Sequence, residues 1–371
     1  MSKFSDEITF KLKSVNQPRY GENPQQDAAI YEIESVSGIP LEKIVPIIFA
    51  EKLNGKQMSF NNWLDADGVL KMLWQFDEPA ATVFKHVTPS GVAEGDSILE
   101  AYKKAWNCDP LSAFGGVAGV NRKITKEVAE YITHKKFLEV ILAPEYEDDA
   151  LEVLCKKKNM RVLKMNTDMP KEIGYDIRMI TGGFLIQEFN FSKLTPDSLI
   201  YLEDKGIKKP TEKQIQDMIF GWYVARRTRS NTVLLVKDLA TIGIGSGQQS
   251  RVDAAFIAGW KANKPYDVLL GKAEEKETRY IDDQIYNLAN SVGITPNGRS
   301  NGSVAVSDAF YPFPDAIEVL SSYGVNASLS PAGSIRDKSS YEAMKKLDMA
   351  AAHTPYVEKG GYKGGMRAFL H

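Results

Sequence analysis

Ala80-Ala81-Thr82-Val83-Phe84, running straight into Lys85-His86-Val87-Thr88-Pro89-Ser90-Gly91, is the stretch whose reading settles the fold class. Five small or apolar residues with no polar alternation read as a strand covered on both faces, the kind found in parallel sheets. Upstream, Asn62 to Phe76 sets Leu64, Val69, Leu70, Leu73 and Trp74 at helical spacing, with Asn61 or Asn62 as the expected cap. Downstream, residues 96–107 give a second helix, with Asp96 placed to cap Ile98, Leu99, Ala101 and Tyr102. A strand over Gly116–Val120, a helix over Thr125–Ile132 and a strand over Leu138–Leu142 continue the alternation. Strands interleaved with helices predict an α/β fold on a parallel or mixed sheet.

The pattern restarts after a polar, irregular passage around Asn166–Asp176. An apolar run over Met179–Ile186 is followed by a long helix from Thr211 to Ala225, strands over Thr232–Val236 and Ala240–Gly243, and a helix after Gly247. The 371 residues suffice for two domains, expected at 1–180 and 181–371. Gly360-Gly361-Tyr362-Lys363-Gly364-Gly365 reads as a flexible linker. No repeat at solenoid periods is present.

A hydrophobic share of 43% and a charged share of 25% exclude a disordered or fibrous chain. Lys and Arg number 46 against 48 Asp and Glu, a net charge of -2, so no global field favours nucleic acid or an anionic membrane. No apolar stretch reaches the roughly 18 residues of a membrane span, and Met-Ser-Lys-Phe-Ser-Asp-Glu lacks a secretory core. Cys108 and Cys155 lie far apart outside any CxxC pair, as expected for a reducing cytoplasm. Walker, GxSxG and HExxH motifs are absent, and His86-Val87-Thr88 lacks the His-x-Glu of zinc deaminases. Gly243-Ile244-Gly245-Ser246-Gly247-Gln248 imitates a dinucleotide fingerprint with its third glycine one place early; a tight strand-to-helix turn is the better reading. Among four histidines, His134 falls at an exposed helix end, His353 reads as a satisfied core residue and His371 ends the chain.

Lys85 and His86 remain. They follow a buried strand, where open α/β sheets bind ligands, and join a fixed cation to a side chain able to move a proton near neutrality. Two readings stay open for this segment alone: an oxyanion-and-base pair, or a surface turn with two incidental polar residues. Polar residues gather at turns elsewhere too, in RYGENPQQ at 19–26, SNTVLLVKD at 230–238 and GQQSR at 247–251. SDAFYPFPD at 307–315 supplies an aromatic and proline wall.

Taken in order with LNGKQMSFNN (53–62), FKHVTPSG (84–91), DPLSAFGG (109–116), LAPEYEDDAL (142–151), IGIGSGQQSR (242–251) and RAFLH (367–371), these segments resemble the formyltransferase part of the AICAR transformylase/IMP cyclohydrolase family from residue 19 onward. The resemblance implies two cytidine-deaminase-like α/β/α sandwich domains in tandem, without catalytic zinc. It implies transfer of the formyl group of 10-formyltetrahydrofolate to the 5-amino group of AICAR in a homodimer that completes the site across its interface, with a structural potassium ion as a weaker implication. By the same resemblance Lys85, His86 and Asn231 are catalytic. Arg19, Tyr20 and Arg367 hold the phosphate, while Asn61, Phe114, Gly115, Glu139 and Arg251 surround the ribose and base. Phe310, Pro312 and Phe313 receive the pteridine, with Ala316 where some relatives carry a polar folate contact. Because the signature begins at Arg19, a free-standing transformylase without cyclohydrolase activity is expected. The rivals are a zinc hydrolase on the same fold and a non-catalytic sensor of an AICAR-like ribotide.

Overall fold

The computed structural model describes residues 7–18, 21–36, 47–134, 137–169, 175–264, 298–359 and 361–371. Strands β1 (Phe10–Asn16), β2 (Ile30–Val36) and β3 (Glu51–Asn54) precede helix α1 (Phe60–Leu73). A hairpin of β4 (Ala80–Lys85) and β5 (Thr88–Glu94) leads to α2 (Ile98–Cys108) and α3 (Pro110–Ala113). Then β6 (Gly116–Val120), α4 (Lys126–Thr133), β7 (Leu138–Ala143), α5 (Asp148–Cys155) and β8 (Arg161–Lys164) alternate. A hairpin of β9 (Tyr175–Ile180) and β10 (Gly183–Glu188) and the short β11 (Ile200–Tyr201) lead to α6 (Glu212–Ala225). The hairpin β12 (Val233–Lys237) and β13 (Ala240–Gly245) is followed by α7 (Arg251–Ala262). The chain continues through β14 (Val304–Ser307), α8 (Asp315–Ser322), β15 (Ala327–Ser330), α9 (Asp337–Lys346), β16 (Ala350–His353), β17 (Tyr356–Lys359) and β18 (Tyr362–Gly365). Among the described residues one order therefore runs twice, from α1 to β8 and from α6 to β16: helix, hairpin, helix, then three strands separated by two helices, with α3 added in the first pass.

Two compact units form, one from Met1–Asp77 and Gly115–Ser192, the other from Glu78–Phe114 and Lys193–His371. They differ from a single cut after residue 180. The segment Glu78–Phe114 joins the C-terminal residues because β5 pairs antiparallel with β13, and Thr241 Oγ1 both accepts from Val92 N (2.9 Å) and donates to Val92 O (3.1 Å). In the first unit β6, β7 and β8 are parallel and β3 closes on β8 antiparallel. In the second, the strand order is β11-β16-β15-β14-β12-β13-β5-β4, with β14, β15 and β16 parallel and the other pairings antiparallel.

Local chemistry accounts for the boundaries. Ser59 caps α1 in place of Asn61 or Asn62, and Asn62 returns a bond to the Ser59 amide, closing a capping box. Ser97, extended at φ -145°, caps α2 in place of Asp96. The strand at 80–84 pairs antiparallel with β5, because the chain reverses within two residues and pairs Lys85 with Thr88. Glycines let helices lie directly on strands. A Cβ at Gly91 would stand 1.9 Å from Ala105 O of α2, and one at Gly245 1.9 Å from Ala254 O of α7. In the second unit Val233, Leu235, Ala254, Ala258, Ile317 and Leu320 form the core between sheet and helices.

Candidate active site

In the second unit the strands deliver the singled-out residues to one end of the sheet. Val233 pairs with Gly245 and with Ser307, so Asn231, Gly247 and Asp308 emerge side by side. Ala93 lies opposite Ala240, so the antiparallel β5 carries Thr88 and the turn before it toward the end where β13 finishes. Strands β14, β15 and β16 also point their carboxyl ends there.

That turn is His86-Val87. Pro89, which has no amide to donate, sits in β5 opposite Phe84, beside a bulge between Val83 and Phe84. His86 and Val87 both adopt left-handed backbone, at φ 58° and 59°. A two-residue hairpin of this type favours Asn-Gly, and a β-branched residue there stores roughly 1–3 kcal/mol. His86 is exposed at the tip; Lys85 is half-buried and donates from Nζ to Phe114 O at 2.8 Å. Lys85, His86 and Phe114 are thus brought together.

Asn231 follows a cis Ser230–Asn231 peptide and stands at the centre of a polar network. Its Nδ2 donates to Gln248 O (2.8 Å) and Gln249 O (3.0 Å), and its Oδ1 accepts from Arg251 Nη2 (2.6 Å). Arg251 Nη1 donates to Thr232 O (2.9 Å) and to the Asp308 carboxylate, which also accepts from the Ser230 hydroxyl and, at 3.2 Å, from the Thr232 amide. Arg251 and Asp308 are both buried, an arrangement that holds only when each charge is paired. Arg251 Nε is buried with no hydrogen-bond partner among the described residues.

The C-terminal stretch docks on this network through its backbone. Ala368 N donates to Asp308 O (3.0 Å), and Ser230 N donates to Leu370 O (2.9 Å). Just before these anchors the Arg367 guanidinium lies 5.1 Å from the Phe310 ring centroid, 5.4 Å from Phe369 and 4.6 Å from Tyr362. The expected linker before it is a hairpin, pairing Tyr356 with Gly365 and Lys359 with Tyr362. Its glycines serve close packing: a Cβ at Gly365 would stand 2.4 Å from Ala332 N. Pro312 is half-buried, and Phe313 is exposed beneath the Arg336 guanidinium at 4.5 Å.

The first unit holds Asn61, Gly115 and Glu139, each on a different partner. Asn61 Nδ2 donates to Glu22 O (3.3 Å), Gly115 N donates to Phe137 O (2.8 Å) with φ 73°, and Glu139 forms an ion pair with Arg161. Arg19 and Tyr20 lie outside the described residues. Two groups escaped the sequence reading. Asp308 was hidden as a prelude to the aromatic wall, although a lone carboxylate between a buried strand and that wall is the signal that marks it. Tyr362 was hidden inside the glycines.

Of the remaining histidines and cysteines, His353 and Cys108 are buried. Buried His353 uses both ring nitrogens, on Ser330 O (2.8 Å) and the Tyr341 hydroxyl (2.9 Å), and burial lowers its pKa. His134 is exposed at the end of α4. Burial pushes the Cys108 thiol up to about 11, which keeps it protonated at neutral pH. Among the described residues no three His, Cys, Asp or Glu side chains cluster as a metal site, and no helix is long and apolar enough to cross a membrane.

Fold and site together define an α/β protein with a polar, cation-bearing cluster of residues at one end of its sheet. A model of the AICARFT/IMPCHase bienzyme matches residues 1–261. The bifunctional purine biosynthesis protein PurH of Caldicellulosiruptor saccharolyticus is 38% identical over 368 residues, 99% of this chain and 61% of that protein. PurH of Magnetococcus marinus is 36% identical over 371 residues, 99% of this chain and 62% of its own length. The chain belongs to the AICARFT/IMPCHase bienzyme family, and spans a little over three fifths of the relatives it matches.

Proposed function

We propose that this chain transfers the formyl group of 10-formyltetrahydrofolate to the 5-amino group of AICAR, giving FAICAR and tetrahydrofolate in purine biosynthesis. The observation that carries the reading is the gathering of Lys85, His86, Asn231 and Arg367 at one end of one sheet. Family membership supports it. The chemical difficulty is the amine, whose lone pair is conjugated with the imidazole and its carboxamide, so nucleophilic attack needs help with the proton.

In this reading the amine nitrogen bonds to the formyl carbon while His86, acting with the substrate carboxamide, removes the amine proton. Lys85 stabilises the developing oxyanion or delivers a proton to the folate nitrogen as the carbon–nitrogen bond breaks. The Asn231 amide hydrogens are already committed, so its contribution is the second lone pair of Oδ1, free to accept from the imidazole or order the loop beside the formyl group. Arg367 takes the phosphate with Arg19 and Tyr20. Asn61, Phe114, Gly115, Glu139 and Arg251 frame the ribose and base, and Phe310, Pro312 and Phe313 face the pteridine. A homodimer that completes the site, a cytidine-deaminase-like origin for the twice-run element order, a reaction without zinc and a structural potassium ion belong to the same proposal.

The test follows tetrahydrofolate release from AICAR and 10-formyltetrahydrofolate by the purified chain. Turnover is expected to fall about 10²–10⁴-fold in His86→Ala and about 10²–10³-fold in Lys85→Ala. Undiminished turnover in both variants overturns the mechanism, and AICAR binding without turnover makes the protein a ribotide sensor. Stoichiometric zinc required for activity returns the hydrolase reading. Supplying FAICAR instead is expected to yield no IMP.

A further inference from the structure

We propose that the Tyr356–Gly365 hairpin is a positioning device for Arg367, with Tyr362 completing an aromatic cage that holds the guanidinium ready for a phosphate dianion. Three rings from three separate segments surround one cation. Phe310 comes from the wall after β14, Tyr362 from β18 and Phe369 from the C-terminal stretch, at 5.1, 4.6 and 5.4 Å from the guanidinium carbon. Tyr362 is the nearest of the three.

The hairpin is built to hold that ring. The Tyr362 hydroxyl donates to Gly365 O at 2.7 Å, tying the ring to the strand that leads directly into Arg367. A side chain at Gly364 would put a Cβ 2.7 Å from the same hydroxyl, so glycine there gives the ring its place. Gly365 N donates to Ala332 O of the loop after β15, while Met366 N donates to Pro355 O and Thr354 Oγ1 to Met366 O at the base of the hairpin, each at 2.8 Å. A long arginine side chain loses rotamer freedom on capturing an anion. Rings that attract the cation in the free protein remove part of that loss beforehand, so affinity for phosphate rises without a new contact to it.

The inference rests on the proposed AICAR site, and calorimetry on the full chain separates the two. AICAR and its riboside, which lacks the phosphate, are titrated into wild type, Tyr362→Ala and Tyr362→Phe. The ratio of the two dissociation constants reports the phosphate alone. In Tyr362→Ala it is expected to shrink about tenfold, with riboside affinity unchanged. Tyr362→Phe, which keeps the ring but loses its bond to Gly365 O, is expected to fall between wild type and Tyr362→Ala, and Glu358→Ala on the exposed face of the same hairpin to stay near wild type. Tyr362→Leu, which fills the space without a π face, replaces the alanine variant if that fails to fold. An unchanged ratio in folded Tyr362→Ala or Tyr362→Leu, or equal weakening of both ligands, overturns the cage. Wild type that binds AICAR but releases no tetrahydrofolate overturns the formyl-transfer reading alone, and wild type that binds neither ligand overturns both.

Discussion

The hairpins β4–β5 and β12–β13 are built alike and used differently. Each reverses in two residues with left-handed backbone, His86-Val87 at φ 58° and 59° and Asp238-Leu239 at 56° and 53°. Each is followed by a helix lying on its second strand over glycine. At the second turn the strain is offset locally, since the buried Asp217 carboxylate accepts from Leu239 N at 2.8 Å and Asp238 N at 3.3 Å, and Lys213 pairs with Asp238. The first turn presents an exposed imidazole beside a half-buried lysine, at the end of the sheet where Asn231 and Asp308 emerge. One scaffold thus supports a corner tied down by its own unit and one that the proposed mechanism makes reactive.

The sharpest way to break this comparison is paired substitution at the tips. His86→Ala is expected to cost about 10²–10⁴ in kcat/KM for formyl transfer. Asp238→Ala is expected to leave turnover unchanged, as the same assay shows directly. Next in size are the carboxylates that serve the two ends. Asp308→Ala strands the buried Arg251 guanidinium and is expected to lower stability by about 3–5 kcal/mol. Asp217→Ala frees two turn amides and is expected to cost about 1–3 kcal/mol, both read from urea midpoints. Val87→Gly and Leu239→Gly are each expected to gain about 1 kcal/mol by relieving left-handed backbone. Only Val87→Gly should slow turnover, because it loosens the residue beside His86; equal activity in both variants would deny the first turn its special role.

The smallest effect is a pH dependence. Burial lowers the His353 pKa below its unfolded value, so between the two values the unfolded chain binds more protons. The contribution of His353 is therefore fully present above about pH 6.5 and is lost as pH falls toward the folded value. Urea midpoints from pH 5 to 8 should show that slope in wild type and a flatter one in His353→Asn.

Much of this was legible beforehand for identifiable reasons. Alternation of apolar strands with helices is a local signal, so Gly116–Val120, Leu138–Leu142 and the helix before Ala225 emerge where periodicity puts them. Pairing direction is not local: Ala80–Phe84 reads as a strand covered on both faces, whereas its antiparallel pairing with β5 follows from the two-residue reversal at His86. The caps shifted by one to three residues because Ser97 and Ser59 outcompete their polar neighbours for the first free amides. Lys85 and His86 stood out by position after a strand. Asp308 did not, because its importance comes from Arg251, which lies 57 residues away in the chain. The 360–365 stretch misled because glycine is read as freedom, whereas Gly364 and Gly365 mark places where another group comes too close for a side chain.

The segment Gly243-Ile244-Gly245-Ser246-Gly247 carries the same letter for two unrelated reasons. A Cβ at Gly243 or Gly245 would collide with backbone oxygens of α7 at 2.1 and 1.9 Å, so an alphabet of one residue remains there. At Gly247 nothing lies within 4 Å and only φ of +66° constrains the choice, which asparagine also satisfies. Over generations the first two positions should stay frozen while the third drifts among residues that accept left-handed backbone, so a search that weights all three glycines alike would mistake helix spacing for a ligand signature.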